Sequence, residues 1–341
     1  MLNNSVKKKL TIKEIAKLAN TSKTTVSFYL NKKFECMSVD TRNRIKKVIK
    51  ENNYVPNVAA RNLSNSKTNL IGVIISDITN TFSNKLVKGI EDCANKNGYQ
   101  IIIGSSNYDY ELEKKHVERL LQIGVDAFIV QPTSQFSPLI DTIKSMGKEL
   151  IFIDSNLDND EVMSVKSDNY NSVYNCIQNI IEKKNYNNFI IIGGDPKDLS
   201  TRQERANGFI DALVDNDLNY TNIIVSNNAK EDEIKEKLLP LIKLSENNLV
   251  FVPNCWLLPM VFLVLSVHST LIPNVIGILG FDNLEWCKFV SPQITTIVQP
   301  AYEEGNLVAS KIINLIEGGC VGEKKETMMC DVSWQGSVLL D

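Results

Sequence analysis

From Leu70 onward the chain alternates short apolar runs with helical stretches, and that alternation leaves few folds open. The spacing predicts strands over Leu70–Ile75, Tyr99–Gly104, Ala127–Val130 and Leu150–Ile153. Helices are predicted around Asn84–Asn97, Glu111–Ile123, Leu139–Met146 and Tyr170–Lys184. A second series begins with a strand over Asn188–Ile192 and a helix from Arg202 to Val214, then strands over Asn222–Val225, Asn248–Val252, Val275–Gly280 and Thr295–Val298. Strands that read as nearly continuous Val, Ile and Leu are buried on both faces, as in a parallel sheet covered by helices. Two series imply two doubly wound lobes with a cleft between them, and ligands meet such sheets at the carboxyl ends of the strands.

The polar residues at those ends are Asp77, Asn107, Gln131, Asp154, Asp195, Asn254 and Asp282, with the aromatic Phe82 close behind the first strand. Arg202 and Arg205 follow the Gly193-Gly194 turn, one helical turn apart. Carboxylates and a forked guanidinium facing one cleft suit vicinal hydroxyls or an anionic group, and Phe82 can stack on the apolar face of a sugar. Taken singly, each aspartate can equally well cap the helix that follows its strand.

The segment before Leu70 has a different character. Residues 1–68 carry 15 Lys and Arg against 4 Asp and Glu, a net +11, while the remainder carries a net −14. One end is suited to a polyanion that the rest of the chain would repel. Within it, Thr11-Ile-Lys-Glu14 has the form of a capping box, and Ile12, Ile15, Ala16 and Ala19 recur at helical spacing. Asn20 sits at a turn, Ser22 can cap a second helix over Lys23–Leu30 with Val26 and Leu30 inward, and a third begins near Ser38, burying Ile45, Val48 and Ile49. Two helices separated by so tight a turn form a helix-turn-helix unit. Its groove-facing residues are then Lys23, Thr24 and Ser27, with Phe28 beside them; Lys13, Thr25, Arg42 and Arg44 are placed for phosphates. Pro56 then ends one element and Asn57 can cap a two-turn helix to Leu63, too short to stand without a partner or DNA.

These motifs, in this order, resemble the lactose/galactose repressor family. The resemblance runs from Thr11 to about Trp334, through Thr25-Val-Ser27, Tyr54-Val-Pro-Asn57, Ile71-Gly-Val-Ile-Ile-Ser-Asp77, Asp168-Asn-Tyr170, Arg205-Ala-Asn-Gly-Phe209, Gly280-Phe-Asp-Asn283 and Thr295-Thr-Ile-Val-Gln-Pro300. It implies an all-α helix-turn-helix head over 10–56, a hinge helix and linker over 57–68, and a two-lobed body over 69–341 like periplasmic sugar-binding proteins. The N-lobe would hold about 69–168 and 300–328, the C-lobe about 169–299 and 329–341. It further implies a homodimer on a palindromic double-stranded operator, usually a repressor, with a sugar, sugar phosphate or nucleoside-like effector. Ser22 and the recognition helix it opens, and Asn57, Ala60, Arg61 and Leu63 of the hinge, match DNA-contacting positions, Leu63 as the wedge between base steps. Phe82, Asp154, Arg205, Asn254 and Asp282 match effector-contacting ones. The chain departs from the family at Asn20, where Gly is usual, at Phe28, often Arg, and at Ser155. It departs again at Asn254-Cys255, followed by the apolar run Trp256–Leu265, which argues against a typical polyhydroxy ligand.

Two rivals belong to other functional classes. A cleft enzyme acting on carbohydrate would pair Asp154 with Asp282, yet the chain has no nucleophile elbow, P-loop or dinucleotide fingerprint, and its two histidines, His116 and His268, stand apart. A small-molecule-binding module without DNA binding leaves the basic head unexplained. The expectation is a regulator rather than an enzyme, without metal or cofactor. Seven cysteines without a CxxC pair, no secretory leader and no span-length apolar run place it in the cytoplasm, away from membranes.

Overall fold

The computed structural model describes residues 10–55, 67–155, 157, 161–320 and 322–340. The chain divides into two compact units between Thr68 and Asn69. In the first, three helices form: α1 (Ile12–Leu18), α2 (Lys23–Leu30) and α3 (Val39–Glu51). The α1 capping box is closed in both directions: Glu14 N donates to Thr11 Oγ1 at 3.3 Å and Thr11 N donates to the Glu14 carboxylate at 2.6 Å. Ser22 and Ser38 cap α2 and α3 by accepting from Thr25 N and Thr41 N. Asn20 turns the chain with φ +49°, a conformation that asparagine adopts more readily than most residues. Ile15, Ala16, Ala19, Val26 and Ile45 make the core, and Leu30, Val48 and Ile49 pack half-buried around it. Full burial of each large aliphatic residue there contributes about 2 kcal/mol, so the unit stands on very few side chains.

In the second unit, the N-lobe sheet collects β1 (Leu70–Ile75), β2 (Gln100–Ser105), β3 (Ala127–Val130), β4 (Glu149–Ile153), β5 (Met163–Ser167) and, from the far end of the chain, β11 (Lys325–Met328). Its order is β11-β5-β4-β3-β1-β2, all parallel. Helix α4 (Thr81–Lys96) and α12 (Ala301–Ile316) cover one face with Leu86, Ile90, Val308 and Ile312; α5 (Tyr110–Ile123) and α6 (Ser137–Ser145) cover the other. α4 and α12 approach closely because each presents a glycine: a Cβ on Gly89 would strike Tyr302 O, and one on Gly305 would strike Leu86 O.

The C-lobe repeats the plan. β6 (Asn188–Gly193), β7 (Tyr220–Ile224), β8 (Asn248–Val252), β9 (Ile276–Phe281), β10 (Thr295–Val298) and β12 (Asp331–Ser333) lie in the order β12-β10-β9-β8-β6-β7, parallel except for β12. Helices α7 (Asn169–Glu182) and α8 (Ser200–Val214) cover one face; α9 (Glu231–Leu238) and α10 (Leu258–Ser266) cover the other. The short α11 (Leu284–Cys287) follows β9. The chain passes between lobes three times, at Ser167–Asn169, Val298–Ala301 and Met328–Asp331. In each sheet the strand order reverses beside the first strand, between β1 and β3 and between β6 and β8, and both reversals open a crevice at the carboxyl ends.

Several boundaries move from those the sequence suggests. α4 begins at Thr81 rather than Asn84, because Asn80 Oδ1 accepts from Phe82 N and starts the helix early. α8 begins at Ser200 rather than Arg202. β5, β11 and β12 escape the apolar-run criterion: β5 reads Met-Ser-Val-Lys-Ser, and the other two are short edge strands with polar residues. The apolar run after Trp256 is core. Leu257, Leu258, Val261, Val264 and Leu265 are buried against β6, β8 and β9, while Cys255 and Trp256 ahead of them stay at the cleft.

Candidate functional site

On the head, Lys13, Ser22, Lys23 and Thr24 are exposed, while Thr25, Ser27 and Phe28 are half-buried. Ser22 has two local tasks, capping α2 and bonding the Thr25 hydroxyl at 2.8 Å. Lys23 and Thr24 therefore head the exposed start of α2, where the helix dipole favours an anion. Arg42 lies over the Phe34 ring at 3.8 Å and Arg44 pairs with Asp40 at 2.9 Å. Both remain at the surface, but each has a neighbour that the sequence did not reveal. Asn57, Ala60, Arg61 and Leu63 lie outside the described residues, as does the predicted hinge helix.

In the body, the strand ends converge between the lobes. Asp154 follows β4 and Asp282 follows β9, each with a left-handed backbone, φ +49° and +59°. Each donates its own N–H to the neighbouring strand, Asp154 to Val165 O and Asp282 to Ile297 O. This shared geometry turns both carboxylates out of their sheets into the cleft, where each residue is 8% exposed. Asp154 Oδ2 accepts from Gln131 Nε2 at 2.8 Å; Asp154 Oδ1 has no hydrogen-bond partner. Asp282 Oδ1 accepts from Gln299 N at 2.9 Å.

Arg205 lies among them. Its Nε donates to Asn169 Oδ1 at 2.7 Å, Nη1 to Pro253 O at 3.0 Å and Nη2 to Gln299 Oε1 at 2.9 Å, while its plane rests 3.8 Å over the Phe281 ring. Asn169 and Gln299 belong to two of the three interlobe crossings, so this one side chain braces the hinge as well as facing the cleft. Burial pushes the Asp154 carboxyl up to about 6, against the pull of Arg205, and raises Asp282 for the same reason. Beneath them lies Glu304, fully buried in the first turn of α12, with Oε2 accepting from Ser167 Oγ at 3.0 Å and Oε1 unpartnered. Burial, then the charges of Asp154 and Asp282, raise its pKa well above the usual carboxylate range.

Of the ten residues singled out from the sequence, Phe82, Gln131, Asp154, Arg202, Arg205, Asn254 and Asp282 line one central cavity of about 40 Å³. Asp77, Asn107 and Asp195 do not line it, and the Asp195 carboxylate accepts from Lys197 N at 2.9 Å. The Asp77 carboxylate closes a turn with Thr79 N and Oγ1, and Asn107 is exposed, accepting from Ser105 Oγ. Asn254 Oδ1 accepts from Gly194 N, and Arg202 donates to Asn227 and lies 5.9 Å from the Tyr108 ring centre. Residues missed from the sequence are Tyr108, Gln299, Asn169 and Glu304. Gln299 was detectable as the residue ending β10; Glu304, beside Glu303 in an ordinary helix, gave no signal. His116 is half-buried against Ser105 O and His268 is exposed. Among the described residues no three His, Cys, Asp or Glu come together as a metal cluster, and no helix is long and apolar enough to cross a membrane.

Across the cleft the lobes touch through Lys166–Glu204 at 2.6 Å, Lys85–Glu285 at 3.3 Å and Cys255 Sγ to Asn80 Oδ1 at 3.4 Å. A central cavity of about 40 Å³ admits about one water molecule, so a sugar-sized ligand enters only if the lobes part or if it takes the larger spaces beside it.

Comparisons with known proteins agree with this architecture. Residues 11–57 match the model of bacterial regulatory proteins of the lacI family, and residues 71–320 match the periplasmic binding protein domain. The chain is 30% identical over 310 residues to the probable HTH-type transcriptional regulator EndR of Paenibacillus polymyxa, covering 90% of this chain and 91% of that one. The crystal structure of the lac repressor dimer bound to operator and an anti-inducer superposes with a TM-score of 0.84 at 19% identity, over 97% of this chain and 100% of that one. The complex of the transcriptional regulator CelR with cellobiose superposes with a TM-score of 0.69 at 20% identity, over 96% of this chain and 99% of that one.

Proposed function

Because the chain belongs to the lacI family of bacterial regulatory proteins, and so is a DNA-binding transcriptional regulator with an effector cleft between its lobes, we propose that it is a carbohydrate-responsive repressor. It acts as a homodimer on a palindromic operator, in the cytoplasm where its DNA lies. Lys23, Thr24 and Ser27 read base edges, Phe28 meets a thymine methyl, and Lys13, Ser22 and Thr25 hold phosphates. Asn57, Ala60, Arg61 and Leu63 meet the minor groove between half-sites.

The observation that carries the effector half of this reading is the convergence of seven sequence-flagged residues on one cleft, with buried Asp154 Oδ1 awaiting a donor. A buried acceptor without a partner costs about 1–3 kcal/mol, which a ligand hydroxyl would relieve. Arg205 links ligand to hinge, since the groups that hold it sit on two interlobe crossings; a ligand that draws on Arg205 shifts the crossings and thereby the relative set of the lobes. The cleft enzyme is the weaker reading, because the Asp282 carboxylate is already bonded to the Gln299 backbone. We assign the protein no catalysis.

The test is a fluorescence-anisotropy titration of the full-length chain on genomic fragments that it retains, with carbohydrates added in turn. The active sugar should shift DNA affinity about tenfold or more, a coupling of about 1.4 kcal/mol, and Asp282→Asn should remove the shift while leaving sugar-free DNA affinity intact. Retention of every fragment equally, with no response to any carbohydrate, contradicts the proposal.

A further inference from the structure

Three acids meet the pivot between the lobes, and one guanidinium stands among them. Asp154 accepts from Gln131 Nε2, Asp282 from Gln299 N and Glu304 from Ser167 Oγ, so each carboxyl receives a neutral donor. Arg205 gives its bonds to Asn169, Pro253 and Gln299 and to none of the three acids. Three carboxylates so placed, away from water, are costly, and the one most removed from solvent yields first. That is Glu304, at 0% exposure against 8% for each aspartate. Burial, then the charges of Asp154 and Asp282, hold its pKa well above the usual range, so near neutral pH it keeps its proton.

Its place gives that proton a consequence. Glu304 N donates to Pro300 O at 2.8 Å, in the second interlobe crossing, and its carboxyl is bonded to Ser167, which opens the first. Asn169 Nδ2 donates to Ser167 O at 3.1 Å, and Asn169 Oδ1 and Gln299 Oε1 both accept from Arg205. The bonds close a ring that runs from Glu304 through Ser167, Asn169 and Arg205 to Gln299 and back along the chain. Two of the three crossings are tied by it. Glu304 Oε1 and Gln299 Nε2, both buried, remain without partners in that ring.

The elements around Glu304 bring no cation into contact with it. β4 leads to Asp154 and β9 to Asp282, and Lys166 of β5 turns to Glu204 at 2.6 Å. α4 contributes Leu86, Ile90 and the thiol of Cys93, which burial raises, while its Lys85 pairs with Glu285 at the surface. Burial pushes Cys330, at the third crossing, up to about 12.

We propose that protonated Glu304 is the positioning residue that holds the lobes together, and that its ionisation parts them. A charge on Glu304 repels Asp154 beside it and Asp282 across the pivot. Asp282 is the one that can retreat, because it belongs to the other lobe. The clasp is therefore whole near neutral pH and fails as pH climbs toward the raised pKa of the acid.

Cys255 reports the opening, since it is buried and its thiol reaches Asn80 Oδ1 of the other lobe at 3.4 Å. The full-length chain is alkylated with iodoacetamide and each cysteine is followed by peptide mass spectrometry, with exposed Cys320 as the control. Glu304→Gln copies the neutral acid and keeps an acceptor for Ser167. Parent and variant should react alike at Cys255 near neutral pH, and the parent about tenfold faster at about pH 9, with Cys320 unchanged between them. Infrared difference spectra of the two proteins near neutral pH should show the carbonyl band of a protonated carboxyl in the parent alone. Equal Cys255 rates at alkaline pH, or absence of that band, overturns the proposal and leaves the effector cleft standing.

Discussion

Asp154→Asn should stabilise the ligand-free protein while destroying its response to effector. The carboxyl is buried, and its pKa rises from 3.8 to about 6. A raised acid pKa means that the folded state binds more protons than the unfolded state, so stability falls as pH climbs through that interval and is level above it. Raising the carboxyl from 3.8 to about 6 corresponds to at most about 3 kcal/mol of penalty near neutral pH. Asparagine keeps the acceptor for Gln131 Nε2 and carries no charge, so the penalty disappears. For a body of this size the gain raises Tm by roughly 5–10 °C near neutrality. Thermal unfolding of both proteins from about pH 4 to about pH 7.5 tests the reasoning, because the advantage of the variant must open across that range. A variant no more stable than the parent at neutral pH, or equally favoured at both ends, refutes it.

Other consequences follow from the same structure. Lys23→Ala should weaken operator binding by about 1–3 kcal/mol and relax preference at one base pair of each half-site, read by competition with substituted operators. Thr11→Ala removes the side chain that caps α1 and should cost the head about 1 kcal/mol, seen as faster amide exchange over Ile12–Leu18. Lys166→Ala breaks a half-buried interlobe ion pair; it should enlarge the ligand-free body in small-angle scattering and weaken effector binding several-fold. Gly89→Ala drives a methyl into the Tyr302 carbonyl and should lower stability by about 2 kcal/mol or more, because backbone on both sides must move.

Much of the fold is legible in the sequence because its strands are unambiguous. Runs such as Ile71–Ile75 and Leu249–Val252 are buried on both faces, and a hydrophobic count finds them. β5 is less visible because its serines and lysine alternate with Met163 and Val165, and edge strands β11 and β12 have only one neighbour to satisfy. Seven of the ten proposed cleft residues were legible for a topological reason: strand ends in doubly wound sheets point at the crevice. Asp77 and Asn107 obey that rule in position but spend their side chains locally. Glu304 shows the opposite failure. It reaches the floor of the cleft only because Gly89 and Gly305 let α12 press against α4, and no pattern along one helix encodes that approach.

The account rests most heavily on the claim that the basic head reads a specific, symmetric DNA sequence, and selection from a random duplex pool by the full-length chain measures this directly. The account predicts enrichment of an inverted repeat whose half-sites lie about one helical turn apart, and loss of the same base preference from both halves when Lys23→Ala replaces the parent. Enrichment of no sequence, or binding that follows only salt and DNA length, would contradict it.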